Sequence, residues 1–107
     1  SQLMNINKMM KQVQKMQKDM QKAQAELADK EVEASVGGGK ITVTANGAGE
    51  VLSIKIDPAV VDPEDVEMLE DLVLSGVKQA IEKGKDMASS EMGKLTEGMP
   101  MPPGMGF

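Results

Sequence analysis

Lys8, Lys11, Lys15, Lys18 and Lys22 recur at spacings of 3, 4, 3 and 4, and they are the side chains whose type and placement best suit a chemical task. At ~100° per residue this spacing lines up all five ammonium groups on one stripe of a helix. Only Asp19 offsets them within the stretch KMMKQVQKMQKDMQK. A merely solvated face would mix signs as Glu–Lys pairs, and like charges three and four residues apart weaken a helix slightly. A polyanion would repay that cost. The stripe covers ~21 Å of helix axis, against a phosphate every ~3.4 Å along each strand of a duplex. Two or three lysines per helix can therefore meet phosphates at once, and a pair of helices makes about five contacts, with a log–log salt slope near −4 or −5.

What such a surface reads is limited. The chain has no arginine, so bidentate guanine readout and arginine insertion into a narrow groove are unavailable. Its one aromatic residue is Phe107, leaving nothing in the body of the chain to stack on a base. Lysines act as point charges, suited to phosphate and poor at sequence. The expectation is double-stranded DNA held by its backbone, with little sequence preference. The formal charge of −5 does not oppose this, because it comes from one block: residues 57–71 hold seven acids and no lysine, while residues 1–30 carry six lysines against three acids.

Other chemistry is excluded quickly. There is no His, Cys or Tyr, so no triad or thiolate site forms; Ser53 and Lys55 on one strand face are a coincidence of alternation, and no enzymatic activity is expected. GGGKI lacks the earlier glycine, the Ser/Thr and the following helix of a phosphate loop, and Gly47-Ala48-Gly49 precedes a strand rather than a helix. The acidic block does not fit a calcium loop and reads as a solvated helix start. No metal, cofactor or small-molecule substrate is expected, and no apolar run approaches a membrane span. A cytoplasmic setting follows.

The elements that position the lysines follow from periodicity. Ile6, Met9, Val13, Met16, Met20, Ala23 and Leu27 form a heptad-like apolar seam ~160° from the lysines, which predicts a helix over 5–30 capped by Asn5 or Asn7. The period then falls to two over residues 31–57. EVEASV, KITVTA and EVLSIKID alternate, and Gly37-Gly38-Gly39 and Asn46-Gly47-Ala48-Gly49 separate them. Asn-Gly, whose residues both tolerate positive φ, predicts a hairpin between the second and third strands. A second helix is predicted over 63–95, with Asp62 as N-cap, Pro63 in first position and an inward stripe from Val66 to Ala88. Gly76 and Gly84 weaken its helix propensity by ~1 kcal/mol each relative to Ala, or instead permit close helix contact. Residues 1–97 make one domain, and 98–107, GMPMPPGMGF, have the composition of a flexible tail. The Pro-x-x-Pro match there is weak. Because a 23-residue helix of ~35 Å overhangs strands of ~20 Å, its seam would be exposed without a second copy. The fold class expected is α+β, a three-stranded antiparallel meander flanked by two long helices and assembled as a homodimer.

The layout MMKQVQKMQKDMQKAQAEL, ITVTANGAGEVLSIKIDP and DVEMLEDLVLSGVKQAI, closed by a Met/Pro/Gly tail, resembles the YbaB/EbfC family of bacterial nucleoid-associated proteins. The likeness covers nearly the whole chain and is most specific over Gly49–Pro58 and Glu67–Val73. It implies an α-β-β-β-α protomer, a tweezer-like dimer with protruding helices, DNA binding and a role in nucleoid organisation or gene regulation. The DNA-facing candidates it implies are Lys8, Lys11, Lys15, Lys18 and Lys22, followed by Lys78 and Lys85 on the second helix. The absence of arginine departs from many relatives. The alternative function is a protein-interaction dimer acting as an accessory factor in recombination or repair.

Overall fold

The structure is a computed structural model that describes residues 2–97; the tail expected at 98–107 lies outside the described residues. Its elements are α1 (Gln2–Ala28), β1 (Glu31–Val36), β2 (Ile41–Asn46), β3 (Val51–Ile56), a single 3₁₀ turn (Pro58–Val60) and α2 (Val66–Glu97). This is the expected α-β-β-β-α order. The strands form one antiparallel sheet in the order β1-β2-β3.

Helix starts depart from expectation. Asn5 and Asn7 lie inside α1 instead of capping it, because Gln, Leu and Met on either side propagate a helix better than Asn interrupts one. Asp62 does not cap α2. Its carboxylate accepts from the Glu64 N–H at 2.9 Å, and its carbonyl accepts from the Asp65 N–H at 3.0 Å, closing a separate turn that contains Pro63. Asp65 is the cap, its Oδ1 accepting from the Met68 N–H at 3.2 Å.

The register places Val43 opposite Ala34 and Ile54, and Ile41 opposite Val36 and Ile56, so one sheet face is apolar as alternation requires. α2 lies across that face over β1 and β2 and barely touches β3. The core is therefore small: Ala34, Ile41, Val43, Ala45 and Ala80 are fully buried, with Val36, Leu69, Leu72, Val73 and Val77 packed around them. Close approach of helix to sheet is what makes it dry. A Cβ on Gly76 would lie 2.9 Å from Val43 Cγ2, and one on Gly84 would run into the carbonyl oxygen of Asn46. Leu52, Ile54 and Ile56, expected inside, stay 40–48 % exposed because α2 is one helix wide and covers two strands. A bulge between Thr44 and Ala45 sets Val51 opposite Ala45 and shifts the register there.

The β2–β3 connection is the expected hairpin. Only Gly49 among these residues has positive φ, at 81°. Gly49 N–H donates to the Asn46 carbonyl at 3.0 Å, and Asn46 N–H to the Glu50 carbonyl at 3.0 Å. That is a three-residue loop ending in a left-handed glycine. Asn46 is thereby freed for a different task.

Candidate nucleic-acid interface

α1 is a rod held at one end. The described body measures 76 × 26 × 16 Å, longer than the ~48 Å of α2, and the excess is α1 projecting beyond the sheet. Leu27 is buried and Met20 and Ala23 are half-buried where α1 meets the last turns of α2, whereas Ile6, Met9, Val13 and Met16 are exposed. The apolar seam predicted from spacing thus divides. Its last three residues pack within the chain, and of the exposed four Ile6, Met9 and Val13 line an open shallow groove with Met10 and Gln14.

The joint was not legible from periodicity. Asn46 is 4 % exposed, and its amide Nδ2 donates to the Ala28 carbonyl at 3.1 Å and to Glu50 Oε1 at 3.2 Å. Its Oδ1 accepts from the Ala48 and Glu50 N–H groups at 3.0 and 2.9 Å. Gly47 N–H donates to the carbonyls of Leu27 (2.9 Å) and Lys30 (3.1 Å). Satisfying the C-terminal carbonyls of a helix with a hairpin turn fixes the direction of the rod. Lys30 and Glu91 add an ion pair at 3.4 Å between the end of α1 and α2. The only sequence clue was Asn next to Gly, which hairpin statistics absorbed.

On this rod Lys8, Lys11, Lys15, Lys18 and Lys22 are all exposed. The ion pairs among the described residues are Lys30–Glu91 and Lys40–Asp57, so none of the five is tied to a carboxylate. The positive stripe is open in the protomer. Lys78 and Lys85 are exposed too, but they belong to α2. Lys85 reaches the β2–β3 turn near Gly49, so these two sit at the body and not on the rod.

The acidic block at the start of α2 lies at the opposite end. Gly37 approaches Leu72, which puts the start of α2 at the β1–β2 hairpin, away from the Asn46 corner. Asp57 has its carboxyl held below the ordinary range, first by the Ala59 N–H and then by the Lys40 ammonium at 3.3 Å. No group of His, Cys, Asp and Glu able to hold a metal ion occurs among the described residues. No described helix is long and apolar enough to cross a membrane.

The profile of the YbaB/EbfC DNA-binding family matches residues 2–99. A nucleoid-associated protein of Alkaliphilus metalliredigens is 62 % identical over 98 residues, covering 92 % of this chain and 86 % of that one. A nucleoid-associated protein of Moorella thermoacetica is 54 % identical over 98 residues, covering 92 % and 94 %. Among solved structures, an uncharacterized protein from Helicobacter pylori superimposes with a TM-score of 0.72 at 20 % identity, over 81 % of this chain and 91 % of that one. The likeness to that structure carries the α-β-β-β-α fold.

Proposed function

The chain belongs to the YbaB/EbfC DNA-binding family, and from that premise we propose that it is a homodimeric nucleoid-associated protein that binds duplex DNA through backbone phosphates with little sequence preference. The observation that carries the reading is the rod: five exposed lysines on one stripe, free of ion pairs among the described residues, projecting clear of the acidic end. Phosphates are the partner such a stripe suits, and in the absence of arginine it lacks the planar forks that read base edges. Its place is the nucleoid, in DNA organisation or gene regulation. Lys78 and Lys85 belong to the interface only if the duplex reaches down to the body.

The dimer rests on uncovered apolar surface. Val51, Leu52, Ile54 and Ile56 extend the core face past the edge of α2, on a strand whose outer edge has no partner among the described residues. A monomer leaves such an edge open to any strand. A second copy closes it with an identical face and, by two-fold symmetry, sets two lysine rods on one particle.

The open groove at Ile6, Met9, Met10 and Val13 supports a second reading, a protein-interaction dimer serving recombination or repair. Fluorescence anisotropy with two unrelated duplexes at several salt concentrations separates the two. DNA binding through about five phosphates gives similar affinities and a slope of about −4 to −5. Replacing all five rod lysines by Gln should flatten that slope. If the Gln protein binds as tightly as its parent, the assignment of the rod is wrong. Sedimentation at micromolar concentration tests the dimer separately, and a lone 11.4 kDa species would refute it.

A further inference from the structure

We propose that the exposed half of the α1 seam, from Ile6 to Met16, is a docking face for the same half of a second copy's α1, the two helices lying antiparallel. The inner half shows what the seam takes. Met20, Ala23 and Leu27, at the same alternation of three and four, already pack against a helix, the last turns of α2. The outer half continues that stripe without a break, and Ile6, Met9, Met10 and Val13 are each more than half exposed. A helix is therefore the shape of partner it fits, since heptad spacing matches helix against helix.

Symmetry and charge single out a second α1. Ile6, Met9, Val13 and Met16 are separated by 3, 4 and 3 residues, steps that read the same in either direction. A copy turned end for end about the level of Lys11 sets Ile6 against the partner's Met16 and Met9 against the partner's Val13, as a two-fold contact requires. Beside the seam stand Asn5, Met10, Gln12 and Gln17, all uncharged in a chain that is 27 % charged, and Asp19. In the turned register Gln12 meets the partner's Gln12, and Asp19 meets the partner's Asn5, whose amide can donate to the carboxylate. No like charges face each other. The lysines lie on the far side of each helix, so with axes ~8–10 Å apart the two stripes stand roughly 25 Å from one another, about three screening lengths at physiological salt. Five apolar side chains from each copy bring on the order of 1,000 Å² into the contact, the range of a specific but reversible interface. Pairing leaves one lysine stripe open on each outer face, and on the reading that this stripe holds phosphate the paired rod can take a duplex on either side.

Disulfide trapping tests the pairing without DNA, and its outcome does not depend on the β3 dimer. The chain has no cysteine, and Met9→Cys and Val13→Cys fall at exposed positions outside the core. The two variants are co-expressed so that subunits mix freely, then oxidised with copper phenanthroline. The substitutions differ in mass, so mass spectrometry tells mixed pairs from like pairs. Random collision yields twice as many mixed pairs as either like pair. A disulfide needs Cα atoms within ~7 Å, so the turned register should raise that ratio to about five or more. The mixture should also link about tenfold faster than chains carrying Lys11→Cys, whose thiol faces away from the seam. Mixed pairs at the random ratio overturn the proposal. An excess of like pairs overturns it in favour of parallel helices, and linking no faster than Lys11→Cys overturns it in favour of a protein of another kind in the groove.

Discussion

Three glycines of α2 have the same secondary structure and different surroundings, so substituting each by Ala isolates close packing from helix propensity. Inside a helix the exchange gains ~1 kcal/mol. Gly93 has nothing within 4 Å of its added Cβ, so Gly93→Ala should keep that gain. Gly84 meets the carbonyl oxygen of Asn46, which already accepts from Gly49 N–H at 3.0 Å and belongs to a turn that cannot yield without releasing α1. Overpacking costs ~1–3 kcal/mol where side chains can adjust, and here the obstacle is main chain. Gly84→Ala should thus lose at least ~1–2 kcal/mol net of propensity. Gly76→Ala, which meets the Val43 Cγ2 methyl at 2.9 Å, should fall between the two. For a domain of this size each kcal/mol shifts Tm by ~4–8 °C. Thermal unfolding followed by circular dichroism, at one protein concentration because the proposed dimerisation would make Tm concentration-dependent, should order the variants Gly93→Ala, parent, Gly84→Ala. If Gly84→Ala melts at or above the parent, the contact of α2 with the sheet is not as described and the reasoning fails.

Three further outcomes follow from other contacts. Asn46→Ala strands two turn N–H groups and the Ala28 carbonyl, so it should cost ~2–4 kcal/mol in denaturant unfolding and weaken DNA binding with every lysine in place; unchanged affinity would mean that the rod needs no fixed direction. The folded-state pKa of Asp57 is depressed, so its stabilising contribution is full above the unfolded value near 3.8 and fades as pH falls through the lower folded value. Lys40→Gln should raise the midpoint of its carboxyl titration by NMR while leaving it below the ordinary value, since the Ala59 N–H remains. Ile54→Lys, on a side chain 43 % exposed, should yield a folded monomer by sedimentation and circular dichroism; a dimer of parental strength would place the interface elsewhere.

The sequence revealed most where one strong period decided the outcome. Alternation over EVEASV, ITVTA and VLSIKI and the 3-4 spacing of α1 predicted five elements in their order, and the exposed lysine stripe followed from spacing alone. Boundaries failed where two local hydrogen-bond patterns competed, as at Asp62 and Asp65, both able to accept from a nearby N–H. The fate of the seam was hidden for a different reason. Spacing says which residues share a face but not how far a neighbour extends along it, and α2 reaches only the last turns of α1. Likewise nothing in VLSIKI tells that one helix covers two strands and leaves the third bare. Asn46 was missed because its partners, Ala28 and Glu50, lie 18 residues back and 4 ahead, and only the folded corner unites them.

Charge placement reconciles a net charge of −5 with the proposed binding of DNA by the rod. The acids at the start of α2 are separated from the lysine rod by most of α2, ~40 Å of helix. At ~0.15 M salt the screening length is ~8 Å, so across ~40 Å their repulsion is reduced roughly a hundred-fold beyond Coulomb decay. At ~0.01 M the length is ~30 Å and the same acids are felt by an approaching duplex, which then meets the particle rod first. Changing exposed Glu64, Glu70 and Asp71 to their amides should therefore leave affinity near physiological salt unchanged and raise it only at low salt. Equal gains at both would place the acids next to the bound DNA, and the rod would no longer stand apart from the body in the complex.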